Sequence, residues 1–139
     1  ILYHGPRNDL PPFYCPKKVI PILSELKDYI IAVRGNCDAE VDQMVLPFNI
    51  LDERKIVEVD GRRILLHHGH HETDTSTVSV VMSGHTHVPV LEEKDGILYL
   101  NPGSTTIPKN GSTPSYAVWD DGRISIIGLD DGHIVKEWK

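Results

Sequence analysis

The sequence is poor in cysteine and aromatic residues, and it has no long hydrophobic run. Only 6% of the 139 residues are aromatic, and the two cysteines, Cys15 and Cys37, match no zinc-ribbon or redox motif. No apolar stretch approaches the ~20 residues that a membrane-spanning helix needs. We therefore expect reduced thiols, no membrane partner and, since no signal-peptide pattern is present, a cytoplasmic location.

The chain has fewer basic than acidic residues, which limits the binding partners that its charge favours. The chain has 14 Lys and Arg against 20 Asp and Glu, a formal net charge of −6 with histidine neutral. This balance argues against non-specific binding to nucleic acid. A hydrophobic content of 40% and a charged content of 24% are typical of a globular protein. The length predicts a single domain over residues 1–139, and a homo-oligomer stays open.

The apolar pattern predicts a layered α/β fold. Residues 17–28 carry apolar side chains at helical spacing, with Pro21 near the start, and residues 29–33 are typical of a strand buried on both faces. In the second half, Asp-Gly pairs between apolar stretches indicate turns between antiparallel strands. These pairs are Asp60-Gly61, Asp95-Gly96, Asp121-Gly122 and Asp131-Gly132. We therefore expect two stacked sheets, with the helix early in the chain.

Six of the eight histidines lie in two short clusters, each of which follows an apolar strand and contains a glycine. The clusters are "LLHHGHH", with His67, His68, His70 and His71, and "GHTH", with His85 and His87. On an extended chain, the side chains of His85 and His87 point the same way, ~7 Å apart, which suits two metal ions better than one. The alternatives are surface or core histidines and an adventitious metal binder.

A third polar segment, "VRGNCD" at residues 33–38, follows the predicted buried strand. Sites of α/β proteins form at that end of a strand. Asn36 offers a neutral amide oxygen as a metal ligand, Asp38 offers a charge that could orient a neighbour, and Arg34 suits a phosphate. For this segment alone, the simpler interpretation is a Gly-Asn turn with a side-chain cap, and we favour it.

Taken in order, "GNCD", "HHGHH", "GHTH" and "NPGS" closely resemble the calcineurin-like metallophosphoesterases, and within them the YfcE-type bacterial phosphodiesterases. The resemblance extends over nearly the whole chain. It implies a four-layer αββα sandwich with two divalent metal ions between its sheets. It also implies hydrolysis of a small phosphodiester substrate by a metal-bound hydroxide. The resemblance favours Mn²⁺ as the metal, with Fe, Zn and Ni as alternatives.

The resemblance also implies roles for individual residues. It makes Asn36, His68 and His85 ligands of one metal ion, and His87 a ligand of the other. His68 is preferred to its neighbour His67 because the ligand in this family directly precedes a glycine.

Further roles follow in the same way. The resemblance places Asn36 and Asp38 in the catalytic loop, and Arg7, Cys37 and His70 against the substrate. The motif "NPGS", residues 101–104, would be a turn that supports the site, with Gly103 there for backbone reasons. For Ser104 we expect a plain structural role.

The sequence departs from the pattern of the family in three places. One is the interval between "HGHH" and "GHTH", which is short, so we expect further residues between His71 and Val78. The Asp-x-His and Gly-Asp motifs are absent from residues 1–139. We expect them upstream of Ile1, so that the chain is N-terminally incomplete and lacks a βαβ portion. Cys37 also stands where many members carry the histidine that protonates the leaving group. General acid catalysis contributes ~10²–10⁴-fold, so we expect a preference for esters with acidic leaving groups.

Two other classes of protein stay open. One is a non-catalytic interaction scaffold of the same fold, like the retromer subunit that resembles this family. The other is a simple metal-binding or cupin-like domain, which also places histidines on strands. The early helix and the segment "VRGNCD" argue against this second class.

Overall fold

The computed structural model describes all residues from Ile1 to Lys139, which form two compact units, Ile1–Lys55 and Ile56–Lys139. The expectation of a single domain over residues 1–139 stays a prediction. None of the helices combines the length and the apolar character needed to cross a membrane.

The first unit contains the helices. They are α1 (Pro16–Glu25) and α2 (Glu40–Gln43), with a 3₁₀ turn at Lys27–Tyr29 between them. The predicted helix is confirmed in α1, which begins at a proline, the residue whose missing N–H is tolerated in a first turn. Pro21 lies inside this helix rather than near its start.

The core of the first unit is small. Its buried members are Leu2, Leu46 and Ile50, and Leu23 of α1 packs against them. Burial of this apolar stripe holds α1, because an isolated ten-residue helix is marginal in water.

The predicted strand at residues 29–33 is wrong. The segment belongs to neither sheet, and Tyr29 and Ile31 are 88% and 60% exposed. Directly after it, the N–H of Arg34 donates to the carbonyl oxygen of Asp52 at 2.8 Å. A strand exists only through a ladder of hydrogen bonds to a neighbour, and an apolar run cannot supply that neighbour. The polar segment 33–38 therefore does not follow a paired strand.

Eight strands form two sheets. They are β1 (Arg54–Val59), β2 (Arg62–His67), β3 (Val80–Met82), β4 (Pro89–Lys94), β5 (Ile97–Pro102), β6 (Ser115–Asp120), β7 (Arg123–Gly128) and β8 (Ile134–Trp138). The five-stranded sheet has the order β1-β2-β3-β5-β4, and the three-stranded sheet has the order β6-β7-β8. Strand β3 pairs in parallel with both β2 and β5, whereas β4 pairs antiparallel with β5. The pairs of the smaller sheet are antiparallel.

The Asp-Gly turns lie where the sequence predicts them. In the turns β1–β2, β4–β5 and β6–β7, aspartate has φ of 51°, 54° and 46°, and glycine has φ of 72°, 77° and 74°. A two-residue turn with both φ values positive matches the right-handed twist of the flanking strands. The fourth pair, Asp131-Gly132, lies between β7 and β8.

The two sheets pack face to face across one core, which confirms the predicted pair of stacked sheets. Its buried members are Ile64, Val80, Leu98 and Leu100 of the larger sheet, and Ile124 and Ile126 of the smaller one. The next residue of β3, Val81, packs with Leu65 and Val78 in a separate cluster. Because successive side chains point to opposite faces, the central strand β3 is buried on both sides.

Candidate metal centre

The carboxyl ends of three parallel strands meet at one edge of the five-stranded sheet. Leu66 of β2 lies beside Met82 of β3, which lies beside Leu100 of β5. The residues that follow are therefore neighbours: "HHGHH" after β2, "SGHTH" after β3 and "NPGS" at the end of β5. Ligands of α/β proteins bind at such an edge.

Three imidazoles lie together at this edge. The Nδ1 atom of His85 is 3.3 Å from the Nε2 atom of His68. The ring centroid of His68 is 5.1 Å from that of His85 and 5.2 Å from that of His70. The remaining pair, His70 and His85, is 5.9 Å apart between centroids. The structure thus brings together three of the histidines that the sequence singles out.

The spacing of the two nitrogens fits a shared metal ion. Imidazole nitrogens bind Zn²⁺ at ~2.0–2.1 Å, and two ligands of a tetrahedral ion at that distance are about 3.3–3.4 Å apart. The observed separation of His85 Nδ1 and His68 Nε2, 3.3 Å, matches this edge length. The separation of these two nitrogens therefore fits a shared divalent cation.

His87 is oriented by a different contact. Its Nδ1 atom lies 2.8 Å from the carbonyl oxygen of Ile107. A carbonyl only accepts, so Nδ1 carries the proton and Nε2 keeps its lone pair. Metal-binding histidines typically have this arrangement, with one ring nitrogen donating to a carbonyl and the other facing the metal.

The "GHTH" segment is a loop, and the picture of an extended chain is wrong. His85 and His87 have φ of 64° and 59°, in the left-handed region. The chain leaves β3 after Met82, and the N–H of Thr86 donates back to the carbonyl oxygen of Gly84 at 2.7 Å. The two imidazoles therefore do not share a direction through strand alternation.

The loops after β2 and β3 are joined through their backbones. The N–H of Gly84 donates to the carbonyl oxygen of His68 at 3.0 Å. Gly69 has φ of 100°, and a Cβ atom there would lie 3.3 Å from the Cβ of Ser83. A glycine after His68 therefore permits both the backbone conformation and the close approach of the second loop.

Two further histidines lie at this edge. The ring centroid of His71 is 4.0 Å from that of His70, and His67 favours its neutral form. Its pKa is lowered from 6.5, chiefly because partial burial disfavours the charged ring and also because a charged His70 would repel it. The hydroxyl of Thr73 lies 3.3 Å from its Nδ1 atom. The lowered pKa therefore favours the uncharged ring of His67 at neutral pH.

The segment "RGNCD" lies in the first unit and forms a capped turn. Asp38 is buried, and its Oδ2 atom accepts the N–H of Gly35 at 2.7 Å. The Nε atom of Arg34 donates to the carbonyl oxygen of Asp38 at 3.2 Å. Asn36 is exposed, with its Nδ2 atom 3.6 Å from the Sγ atom of Cys37. The carboxylate of Asp38 therefore holds its own loop, as the turn interpretation expects.

The two residues of this unit that are predicted to contact substrate, Cys37 and Arg7, differ in packing. A Cβ atom on Gly5, whose φ is 82°, would lie 2.8 Å from the Sγ atom of Cys37, so the thiol packs directly on the glycine. Arg7 is exposed in a turn. The functional roles of Arg7, Asn36, Cys37 and Asp38 stay predictions.

The sequence patterns did not reveal the role of Thr86, inside the histidine loop, or of Ile107, which contacts His87. They gave Ser104 only a plain structural role. These contacts join residues far apart in the chain, and no local pattern marks them. The nearest signal was Asn101, an amide at the end of an apolar strand and directly before Pro-Gly.

Comparison with known proteins agrees with the fold and with the motifs. The family profile of the calcineurin-like phosphoesterase superfamily domain matches residues 13–121. The chain belongs to this superfamily. Membership confirms the family resemblance and the phosphoesterase class of hydrolases.

Among curated relatives, the chain is 43% identical to phosphodiesterase YfcE of Escherichia coli strain K12, over 99% of this chain and 77% of that protein. The solved structure of E. coli YfcE, described as a phosphoesterase, superposes with a TM-score of 0.93 over 99% of this chain and 78% of that one. The mixed α/β architecture with a five-stranded and a three-stranded sheet is thus the metallophosphoesterase fold.

More distant relatives extend the comparison. Phosphodiesterase MJ0936 of Methanocaldococcus jannaschii is 35% identical over 61% of this chain and 58% of that protein. Vps29 of Entamoeba histolytica, solved in complex with Zn²⁺, has a TM-score of 0.52 at 22% identity, over 98% of this chain and 93% of that one. This last likeness is one of fold alone.

Proposed function

We propose that the protein is a metal-dependent phosphodiesterase with two divalent cations at the carboxyl edge of β2, β3 and β5. The observation that carries the proposal is the 3.3 Å separation of His85 Nδ1 and His68 Nε2, in a chain 43% identical to a phosphodiesterase. The substrate is a small phosphodiester. The cytoplasm is the compartment that the sequence predicts.

Each cation has its own protein ligands. His68 Nε2 and His85 Nδ1 would hold one cation, and the family pattern assigns Asn36 to the same ion. His87 would offer its Nε2 atom to the second cation, since its Nδ1 proton is engaged by the carbonyl of Ile107. Nitrogen and oxygen donors suit Mn²⁺, Fe, Zn²⁺ or Ni²⁺, and the family resemblance favours Mn²⁺. When bound, two such cations neutralise phosphoryl oxygens and lower the pKa of a water to ~7.

Residues of the chain itself would set the choice of substrate. His70 lies beside His68 and His85, and we assign it to the phosphoryl group. Arg7 is assigned to the same group through its guanidinium. Asp38 keeps Asn36 in place by capping the turn. Cys37 offers a thiol where many members of the family have an imidazole, so the protein favours leaving groups that depart without a proton.

The test is hydrolysis of an activated diester, bis(4-nitrophenyl) phosphate, by the purified protein. We expect turnover with added Mn²⁺ and none after treatment with EDTA. His68→Ala should lose the turnover, whereas His133→Ala, an exposed histidine between β7 and β8, should keep it. A wild-type protein that binds two cations but hydrolyses no diester would instead support the scaffold alternative, because Vps29 shares the fold.

A further inference from the structure

We propose that the turn Asn101–Ser104, "NPGS", is the positioning element of the metal centre. Asn101 would fix the loop that carries His85, and Ser104 would fix the tautomer of His87. The proposal rests on the proposed function in so far as both histidines are taken as metal ligands.

Asn101 holds both neighbours of His85. Its side chain is buried, and its Nδ2 atom donates to the carbonyl oxygen of Gly84 at 2.6 Å and to the Oγ1 atom of Thr86 at 3.1 Å. Its Oδ1 atom accepts the N–H of Gly103 at 3.0 Å. One buried amide thus engages the residue before His85, the residue after it and the turn itself.

The loop needs such support. His85 and His87 have left-handed backbones, in which a residue with a Cβ atom is strained. Strained conformations persist only where the surroundings determine them, and they concentrate at functional sites. The two hydrogen bonds from Asn101 are contacts from outside the loop that oppose its relaxation.

Ser104 acts on His87 through Ile107. The Oγ atom of Ser104 accepts the N–H groups of Thr106 at 3.3 Å and of Ile107 at 2.9 Å. The carbonyl oxygen of Ile107 then accepts the Nδ1 proton of His87. The hydroxyl therefore places the carbonyl that keeps the Nε2 lone pair of His87 available for a cation.

The turn is itself anchored to the smaller sheet. The Oγ atom of Ser115, on β6, donates to the carbonyl oxygen of Pro102 at 2.6 Å. The N–H of Ser115 donates to the carbonyl oxygen of Ser104 at 3.0 Å. A Cβ atom on Gly103 would lie 2.5 Å from the Oγ of Ser115, so a larger residue does not fit. The turn that carries Asn101 and Ser104 is therefore fixed in place. We call the contacts of Asn101 with the His85 loop the Asn101 arm, and those of Ser104 with Ile107 the Ser104 arm.

Three substitutions test the two arms. Asn101→Asp keeps the shape of the side chain but removes the amide donor. Thr86→Val, at an exposed residue, removes the hydroxyl that accepts one of the hydrogen bonds from Asn101. Ser104→Ala removes the hydroxyl of the second arm. Asn110→Asp and Ser125→Ala are matched controls, because Asn110 is an exposed turn residue and Ser125 lies on β7.

The first readout is long-range ¹H–¹⁵N NMR of the histidine rings in metal-free protein. We expect His87 to be a single Nδ1–H tautomer in the wild type and in both controls. Ser104→Ala should convert it to a mixture of tautomers, which a general loss of stability does not do. An unchanged tautomer in Ser104→Ala would overturn the Ser104 arm, whatever the metal affinity.

The second readout is metal affinity and the visible spectrum of bound Co²⁺. We expect Asn101→Asp and Thr86→Val each to weaken binding by about 10–100-fold and to alter the spectrum. The double variant should weaken metal binding by less than the product of the two single effects, because both substitutions remove the same hydrogen bond between Asn101 and Thr86. Unchanged affinity and spectrum in folded Thr86→Val would overturn the contact through Thr86, and unchanged values in Asn101→Asp would overturn the role of Asn101 as a whole.

A purely structural role would give a different result. Ile126→Val removes a methylene from the core between the two sheets, so we expect it to lower stability without changing any residue of the histidine loops. If it weakens Co²⁺ binding as much as Asn101→Asp does, positioning is rejected. If the wild type binds no divalent cation, the proposed function fails, while the tautomer of His87 still decides the role of Ser104.

Discussion

The Nδ1 atom of His85 lies 3.3 Å from the Nε2 atom of His68, although 17 residues separate the two in the chain. The parallel pairing of β2 and β3 brings them together, since Leu66 is level with Met82, His68 directly follows β2 and His85 comes three residues after the end of β3. The proximity of the two histidines therefore follows from the strand pairing. Their roles as metal ligands can be tested by substituting one histidine at a time.

His68→Ala and His85→Ala should each weaken divalent metal binding by more than about 100-fold. Loss of a ligand should cost more than loss of a supporting partner, which typically costs 10–100-fold. Isothermal titration calorimetry with Mn²⁺ measures the effect, and His133→Ala serves as the control with expected wild-type affinity. A loss in the control as large as in the other two would point to adventitious binding by surface imidazoles.

Cys37→His should raise the turnover of unactivated monoesters more than that of activated diesters. An imidazolium can protonate a poor leaving group, and the gain should stay below the ~10²–10⁴-fold of full acid catalysis. The Sγ atom packs on Gly5, so the larger ring must turn away from the glycine and supporting groups are not in place.

The size-matched control for this substitution is Cys37→Ser, which should leave the ratio of the two rates unchanged. Bound metal is measured in every preparation. Equal gains for monoesters and diesters would argue against a role for residue 37 at the leaving group.

Gly103→Ala should destabilise the protein more than Gly96→Ala. Both glycines have positive φ, 86° and 77°, so a Cβ atom strains either turn by about 1–2 kcal/mol. Only at Gly103 would the new atom also collide, with the Oγ of Ser115. Overpacking typically adds 1–3 kcal/mol. Urea unfolding gives both free energies, and equal losses would show that the turn can move away from Ser115.

The pKa of Asp131 should rise towards 3.8 in His133→Ala. In the wild type this pKa is lowered, chiefly by the hydrogen bond from the side chain of His133. A carboxyl with a lowered folded-state pKa contributes stability above its unfolded pKa, and this contribution is lost as pH falls through the folded value. The variant should therefore show a smaller loss of stability on acidification between about pH 3.8 and the folded pKa of Asp131.

Carboxyl ¹³C NMR titration measures this pKa directly. Asp52 is the internal control, because its pKa is lowered chiefly by the side chain of Lys55 and does not depend on His133. A pKa of Asp131 that does not move in the variant would assign its shift to another group.

Local features of the fold could be predicted from the sequence. Asp60-Gly61 and the similar pairs form turns because both residues accept positive φ, a requirement satisfied within two residues. The helix at Pro16–Glu25 follows from the spacing of its own apolar side chains. The proximity of His68 and His85 was predictable only through the order of motifs in a known family.

Features that depend on distant partners could not be predicted. The apolar residues 29–33 were wrongly predicted to be a strand, because an apolar run does not show whether a neighbouring strand is present to pair with it. The loop at His85 was predicted to be extended, because its contact with Asn101, which is 17 residues from Gly84, leaves no local sequence pattern. The orientation of His87 depends on Ile107 in the same way.

The parallel pairing of β3 with β2 and β5 has a kinetic consequence. The hairpins close over two-residue turns and form in ~1–10 μs, whereas parallel pairs must first close longer loops. The candidate histidine ligands follow the parallel strands β2 and β3, so we expect their geometry to be completed by late contacts. A refolding chain should recover its far-ultraviolet circular dichroism before it can capture a cation, and stopped-flow Co²⁺ absorption should lag behind that signal.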